Sequence, residues 1–224
     1  MYLSRIRIKL CEDSLKYLDG LAKNDSYATH QLLWNLFPDD KNAERDFLFR
    51  EEQKEGWPLF YVMSSREASN SSKLFHVETK LFNPEIQVGQ RLAFDIRVNP
   101  VVARKVDGKK NSKYHDVWMD AKHKAKAEKL TEQKTDEFKQ ENTIKWLADR
   151  SEKNGFSLEM EKLQINAYRQ HSALKKGSRS LRYSTVDYSG ILIVTDIEKF
   201  KSILTNGLGR AKAFGCGLML IKNI

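Results

Sequence analysis

The stretch Gly207-Leu-Gly-Arg-Ala-Lys-Ala-Phe-Gly-Cys-Gly-Leu-Met-Leu-Ile221 organises the chain. Four glycines, Gly207, Gly209, Gly215 and Gly217, bracket Arg210 and Lys212, and an apolar run from Leu218 to Ile221 follows. Glycine has no Cβ, so it permits positive φ and close approach of another backbone. Amides presented beside two cations suit a phosphate. The spacing is not that of a nucleotide-binding P-loop, because no Gly-Lys-Ser/Thr follows. It is not the dinucleotide fingerprint either, since Lys212 stands where the third glycine belongs. The loop also follows a helix and precedes a strand, the reverse of both motifs. A glycine-rich turn into a buried final strand accounts for the same residues without a ligand, so the flanking sequence has to decide.

Upstream, Thr195 and Glu198 form a capping box for a helix over 196–206. Ile197, Phe200 and Leu204 make its buried face, and Asn206-Gly207 stops it. Before it, residues 157–173 and 179–194 read as a long β-ribbon around Lys175-Lys176-Gly177-Ser178. No acidic residue stands between Glu161 and Asp187. The same segment holds Arg169, His171, Lys175, Lys176, Arg179 and Arg182, interleaved with Tyr168 and Tyr183. A solvated hairpin normally mixes its signs, so one-signed charge with aromatics points to nucleic acid. Residues 120–153 are helix-prone, with Ile144, Trp146 and Leu147 as packing positions. Residues 100–129 are Lys-rich and read as a basic loop running into that helix, either solvated surface or a tether for a polyanion. A strand with Leu92, Phe94, Ile96 and Val98 on one face begins this half.

The first half runs through a similar order. Residues 2–10 alternate, with Tyr2, Ser4, Ile6, Ile8 and Leu10 opposed to Leu3, Arg5, Arg7 and Lys9, which predicts a strand with one buried face. A helix follows in Tyr27-Ala-Thr-His30-Gln-Leu-Leu-Trp34-Asn-Leu-Phe37-Pro38, with Asp25 or Ser26 as cap and Pro38 as stop. Tyr27, His30, Trp34 and Phe37 share one stripe of it. A histidine on an aromatic face is either a packed residue or a proton carrier near neutral pH; a phenol one turn away can hold a phosphate oxygen or a 2′-hydroxyl. Strands are expected at 46–52, 58–64 and 74–82. Asn83-Pro84 to Gly89 reads as a boundary. The expectation is α+β: two tandem ferredoxin-like domains, 1–88 carrying the histidine helix and 89–224 carrying the ribbon and the glycine loop.

Composition narrows the classes. The 224 residues include 39 Lys and Arg against 30 Asp and Glu, a net charge of +9 that favours an acidic partner, nucleic acid before membrane. Two cysteines, Cys11 and Cys216, make neither a metal spacing nor a disulfide framework. There is no His-x-x-x-His and no isolated acidic cluster, so the sequence offers no metal site. Arg5, Arg7 and Lys9 interrupt any N-terminal apolar run, and no stretch is long enough to span a bilayer. A cytoplasmic protein without a cofactor is expected.

Four pieces, taken together and in order, resemble the CasE family, the CRISPR repeat-processing endoribonuclease of type I-E Cascade. They are Met1-Tyr2-Leu3-Ser4; the block from Tyr27 to Pro38 with Arg45-Asp-Phe-Leu-Phe-Arg50; the strand ending Arg97-Val-Asn-Pro100; and the loop from Gly207 to Leu218. The resemblance implies domains related to RNA-recognition modules and metal-free cutting of the precursor transcript at each repeat hairpin. It also implies retention of the product and assembly with other Cascade subunits. The partner is then the stem-loop of CRISPR repeat RNA, with no membrane and no DNA contacted directly. By position it makes His30 the catalytic histidine and Tyr27 its partner, Gly207 to Gly217 the glycine-rich loop, and the basic ribbon the grip on the RNA stem. A non-catalytic RNA-binding scaffold shares the ribbon and the loop; only the Tyr27–His30 pair separates it from the enzyme. A ferredoxin-like small-molecule sensor has no use for the one-signed ribbon.

Overall fold

The computed structural model describes residues 1–9, 26–37, 46–105, 108, 112–173 and 181–224. Its elements run β1 (Tyr2–Ile8), α1 (Ser26–Trp34), β2 (Phe47–Lys54), β3 (Trp57–Ser64), β4 (Phe75–Leu81), β5 (Arg91–Val98), β6 (Val101–Arg104), β7 (Lys113–Asp116), α2 (Val117–Ala127), α3 (Glu132–Ser151), β8 (Phe156–Leu158), β9 (Gln164–Ala173), β10 (Leu181–Val194), α4 (Ile197–Asn206) and β11 (Met219–Asn223). Two compact units result. The first comprises Met1–Glu85, His171–Arg182 and Ser202–Met219; the second comprises Ile86–Gln170, Tyr183–Lys201 and Leu220–Ile224.

The first unit is built on an antiparallel sheet of order β2-β3-β1-β4. Alternation in β1 buries Ser4 and Ile6 and exposes Arg5 and Arg7. The β2–β3 hairpin closes on Glu55-Gly56, both at positive φ (53° and 81°), the two-residue geometry that suits the strand twist. Phe47, Phe49, Phe60, Val62, Ile6, Phe75 and Val77 line one face and receive Leu32, Leu33, Leu36 and Phe37. A nine-residue helix is too short to persist alone; each of these burials contributes about 1.5–3 kcal/mol and holds α1 in place. On the opposite face, Arg5 and Arg7 both pair with Glu78, so this charged ridge is partly neutralised.

The end of α1 is tied down by Arg66. Its guanidinium grips Asp46 with Nε at 2.6 Å and Nη2 at 3.0 Å, and lies over the Phe37 ring at 5.4 Å. The Arg66 hydrogen bond holds the Asp46 carboxyl below its ordinary value of 3.8. A carboxylate with a lowered native pKa contributes its stability above the unfolded value and loses it as pH falls through the native one. The pair is partly exposed, so its contribution is about 0.5–1 kcal/mol. Chemical unfolding at pH 7 and pH 3 checks this: Asp46→Asn is expected to be less stable than wild type at pH 7, with the gap narrowing as pH falls to 3.

In the second unit the sheet order is β11-β5-β10-β8, and β9 pairs with β10. Residues opposed across β5 and β10 include Ile96 with Tyr188 and Leu92 with Leu192, all fully or nearly fully buried. The Tyr188 hydroxyl donates to the Thr143 carbonyl at 2.7 Å, and Trp146 Nε1 donates to the Val101 carbonyl at 3.0 Å, so α3 is fastened to the sheet through polar as well as apolar contacts.

Several sequence expectations shift. Residues 101–104 and 113–127 form a hairpin, β6–β7, and a helix, where a basic loop was expected to lead in. The helix-prone run is two helices, separated by Lys129 at φ 55°. Leu130 N donates to the Ala125 carbonyl at 3.0 Å, a left-handed stop that closes α2. The cap of α4 is Asp196, whose carboxylate accepts from Lys199 N at 3.1 Å; the expected Thr195 lies one residue outside. Residues 65–73 contain no helix.

Candidate nucleic-acid interface

The histidine helix and the glycine loop meet inside the first unit. His30 is half-buried on α1. Its ring lies 5.4 Å from Phe47, nearly parallel, 5.8 Å from Trp34 and 6.2 Å from Phe49. Phe47 and Phe49 stand two apart on β2 and so share the face that receives α1. Thr29, one residue before His30, is buried and donates to Glu51 Oε2 at 3.5 Å. Tyr27 lies in the first turn of α1; its side chain falls outside the described residues.

The glycine loop wraps the edge strand β2 from the other direction. The single helical turn Lys212–Phe214 packs against α1 and β2. Gly215, at φ 77°, brings its backbone so near Phe49 that a Cβ would stand 3.2 Å from the ring. Gly217, at φ 94°, has no room either, since a Cβ there would sit 2.9 Å from the Leu208 carbonyl oxygen. The two ends of the loop are closed by Leu208 N donating to the Gly217 carbonyl at 3.0 Å. Lys212 Nζ donates to the Asn206 carbonyl at 2.5 Å, where it caps the C-terminus of α4. Arg210 is exposed. Phe49 is therefore the shared floor: one of its neighbours is His30 and another is the backbone at Gly215. Gly207 and Gly209, at φ 73° and 82°, complete the turn.

The ribbon carries its charges unevenly. Arg169 donates to Asp187 at 2.8 Å, and Asp187 also accepts from Arg97 at 2.6 and 2.9 Å. Arg169 thus has a structural pairing at the ribbon root, while its side chain remains half-exposed. Tyr168 is turned onto Trp118, with ring centroids 4.9 Å apart, and burial pushes its phenol up to about 12. Arg182 is exposed and His171 half-buried. Lys175, Lys176 and Arg179 lie outside the described residues.

Two carboxylates at this root escaped the sequence reading. Asp187 is buried between two arginines. Asp116 caps α2 through Met119 N at 2.6 Å, accepts from the Ser184 hydroxyl, and lies 3.4 Å from the Tyr168 hydroxyl. Burial pushes its carboxyl upward. The only local signal was an Asp directly before an apolar helix start. Among the described residues, no group of three or more His, Cys, Asp or Glu is gathered closely enough to hold a metal ion, and no helix is long and apolar enough to cross a membrane.

These features define an α+β protein of two tandem ferredoxin-like folds, with a histidine helix and a glycine loop sharing one aromatic floor and with a basic ribbon. The chain belongs to the family described as CRISPR associated protein, whose model matches residues 1–223. It is 29% identical over 203 residues to the CRISPR system Cascade subunit CasE of Escherichia coli (strain K12), covering 87% of this chain and 90% of that one. It superposes on Cse3 of Thermus thermophilus bound to an RNA representing a pre-cleavage complex with a TM-score of 0.73. That match is 25% identical and covers 99% of this chain and 100% of the other. CRISPR endoribonuclease Cse3 bound to 19 nt RNA matches with the same TM-score at 23% identity over 99% of this chain and 100% of that one.

Proposed function

We propose that this chain is a metal-independent endoribonuclease that cuts precursor CRISPR RNA at the repeat hairpin and keeps the product as a Cascade subunit. The observation that carries the reading is the convergence of His30 and the glycine loop on Phe49, two segments about 180 residues apart brought together in one unit. Family membership and the RNA-bound relatives support it.

RNA supplies its own nucleophile. The 2′-hydroxyl oxygen forms a bond to the adjacent phosphorus as its proton leaves. The bond from phosphorus to the 5′-oxygen breaks, and that oxygen takes up a proton. The products are a 2′,3′-cyclic phosphate and a 5′-hydroxyl, with no water consumed. His30 serves as general base or acid, a role worth about 10²–10⁴ in rate, and Tyr27 orients the reacting group. Charge growing on the phosphate is offset by a cation of the loop or ribbon.

The glycine loop from Gly207 through Gly217, with Arg210 and Lys212, faces the RNA backbone. Arg169, His171, Lys175, Lys176, Arg179 and Arg182 hold the stem. A narrow A-form major groove admits side chains poorly, so the ribbon tracks phosphates and shape. We also assign the N-terminal folding domain to 1–88 and the C-terminal one to 89–224, a cytoplasmic location, and no direct contact with DNA.

The mechanism predicts that a repeat hairpin with deoxyribose on the 5′ side of the scissile phosphate is bound and not cut. Cutting at that linkage would require another nucleophile and overturn the scheme. The rival reading, a non-catalytic hairpin-binding scaffold, predicts that neither the ribose nor the deoxyribose RNA is cut.

A further inference from the structure

The Lys-rich segment after β5 is the largest feature that the proposed site does not use. It is a built module: hairpin β6–β7 lies along α2, with Arg104 opposite Lys113 and Ala103 opposite Tyr114. Val117, Ala121 and Ala125 bury one side of α2. The remaining surface carries Lys105, Lys113, Lys122 and Lys126, all exposed, and Tyr114 is 54% exposed among them.

Two acidic residues of the module, Asp116 and Asp120, are already engaged. Asp120 accepts from Arg104 Nη2 at 2.5 Å and pairs with Lys124 at 3.2 Å, so it fixes two cations in position and leaves the outer lysines uncompensated by it. Asp116 points inward to the ribbon root. Lys122 and Lys126 are one turn apart, about 6 Å along the axis, a step comparable to that between neighbouring phosphates on a strand. Cations of one sign around an exposed aromatic ring are the footprint of a nucleic-acid backbone.

The module is also fastened to the root of the basic ribbon. Asp116 joins the start of α2 to Ser184 of β10 and Tyr168 of β9, and Trp118 stacks on Tyr168. Lys139 of α3 lies over the other partner in that stack, 5.1 Å from the Trp118 ring. An RNA leaving the ribbon root therefore meets a surface rigidly continuous with it.

We propose that β6–β7 and α2 form a second RNA-binding surface that takes the phosphates of the single-stranded sequence flanking the repeat hairpin. The inference rests on the RNA-processing reading above. Lys113, Lys122 and Lys126 make the contacts, and Tyr114 offers a ring for a base to stack on.

The test compares hairpin RNA alone with the same hairpin extended by a single-stranded flank on its 5′ or 3′ side, by fluorescence anisotropy at 50 and 200 mM salt. Wild type is expected to bind one extended RNA about tenfold more tightly at low salt. Three phosphate contacts on a single strand weaken by roughly 20-fold between the two salts, enough to abolish that advantage at 200 mM. The triple variant Lys113→Glu, Lys122→Glu, Lys126→Glu loses the advantage and binds and cuts the bare hairpin as wild type does. The corresponding triple Gln variant loses most of it, which separates lost attraction from introduced repulsion. Equal affinities of wild type for bare and extended RNA overturn the proposal, as does a triple variant weakened equally on both. Binding and cutting of the bare hairpin test the main reading separately, so that reading stands or falls on its own.

Discussion

His30→Ala is expected to slow cutting of repeat hairpin RNA by about 10²–10⁴ while its affinity for the RNA stays within a few-fold of wild type. The asymmetry follows from where the residue sits. His30 is a half-buried ring packed on Phe47 and Phe49, and the proposed grip on the RNA phosphates belongs to the cations of the ribbon and the loop. Removing the imidazole removes a proton carrier and leaves the Lys and Arg side chains of the loop and ribbon in place. The alternative is a histidine that merely packs. In that case the alanine variant loses stability, through the cavity beside Phe47 and Trp34, and cuts at the wild-type rate once folded. Single-turnover rates with enzyme in excess, read beside a thermal melt, separate the two outcomes. His30→Gln fills most of the cavity without supplying a group that titrates near neutrality, so it is expected to melt near wild type and cut as slowly as alanine.

Gly155→Ala is expected to be the most damaging of the single-methyl substitutions. Gly155 ends the turn after α3 at φ 78°. A Cβ there would stand 2.3 Å from the Asp196 carbonyl oxygen and 2.9 Å from both Phe200 N and Lys199 Cβ. The Gly155 carbonyl also accepts from Thr195 N at 2.9 Å and Asp196 N at 3.1 Å. The start of β8 and the start of α4 are thus built on this one residue. The left-handed conformation alone costs an alanine about 1–2 kcal/mol. Displacing a backbone carbonyl and a helix start raises the loss to roughly 3–5 kcal/mol, or about 10 °C in melting temperature for a chain of this length. Gly56 is an internal control, with φ 81° and nothing within 4 Å of a built Cβ. Gly56→Ala is expected to show only the backbone part. Equal losses at the two positions would mean that the close approach at Asp196 contributes nothing.

Much of this architecture is written locally. Strict alternation in Tyr2–Ile8 announces β1, and the apolar face of Ile197, Phe200 and Leu204 announces α4. Other features depend on information that no short window holds. Thr195 and Asp196 are both good caps, and only the register of the chain leaving Gly155 selects the second. The run from Asp120 to Lys153 is rich in Lys, Glu and Ala, with nearly uniform helix propensity, so its division at Lys129 is invisible until tertiary packing sets it. Hairpin β6–β7 has only four residues per strand, too few for periodicity to be read among lysines.

The candidate site was legible as parts. Tyr27-x-x-His30 and Gly207 to Gly217 each stood out, one by its stripe and one by its glycines. Their meeting on Phe49 did not, because it is a contact between segments far apart in the chain. The glycine pattern had a reason that only the fold reveals: Gly215 leaves room for the Phe49 ring and Gly217 for the Leu208 carbonyl. At the ribbon, composition did not reveal how the charged and aromatic side chains pair. Arg169 is shared with a buried Asp187, and Tyr168 packs on Trp118, pairings that join residues far apart in the chain.

The most direct measurement incubates wild type and His30→Ala with repeat hairpin RNA in excess EDTA and resolves the products on a denaturing gel. One cut by wild type, bearing a 2′,3′-cyclic phosphate, with the variant binding the RNA and leaving it intact, is the predicted result. Cutting that appears only after a divalent metal is restored, or an equal cut by His30→Ala, would contradict it.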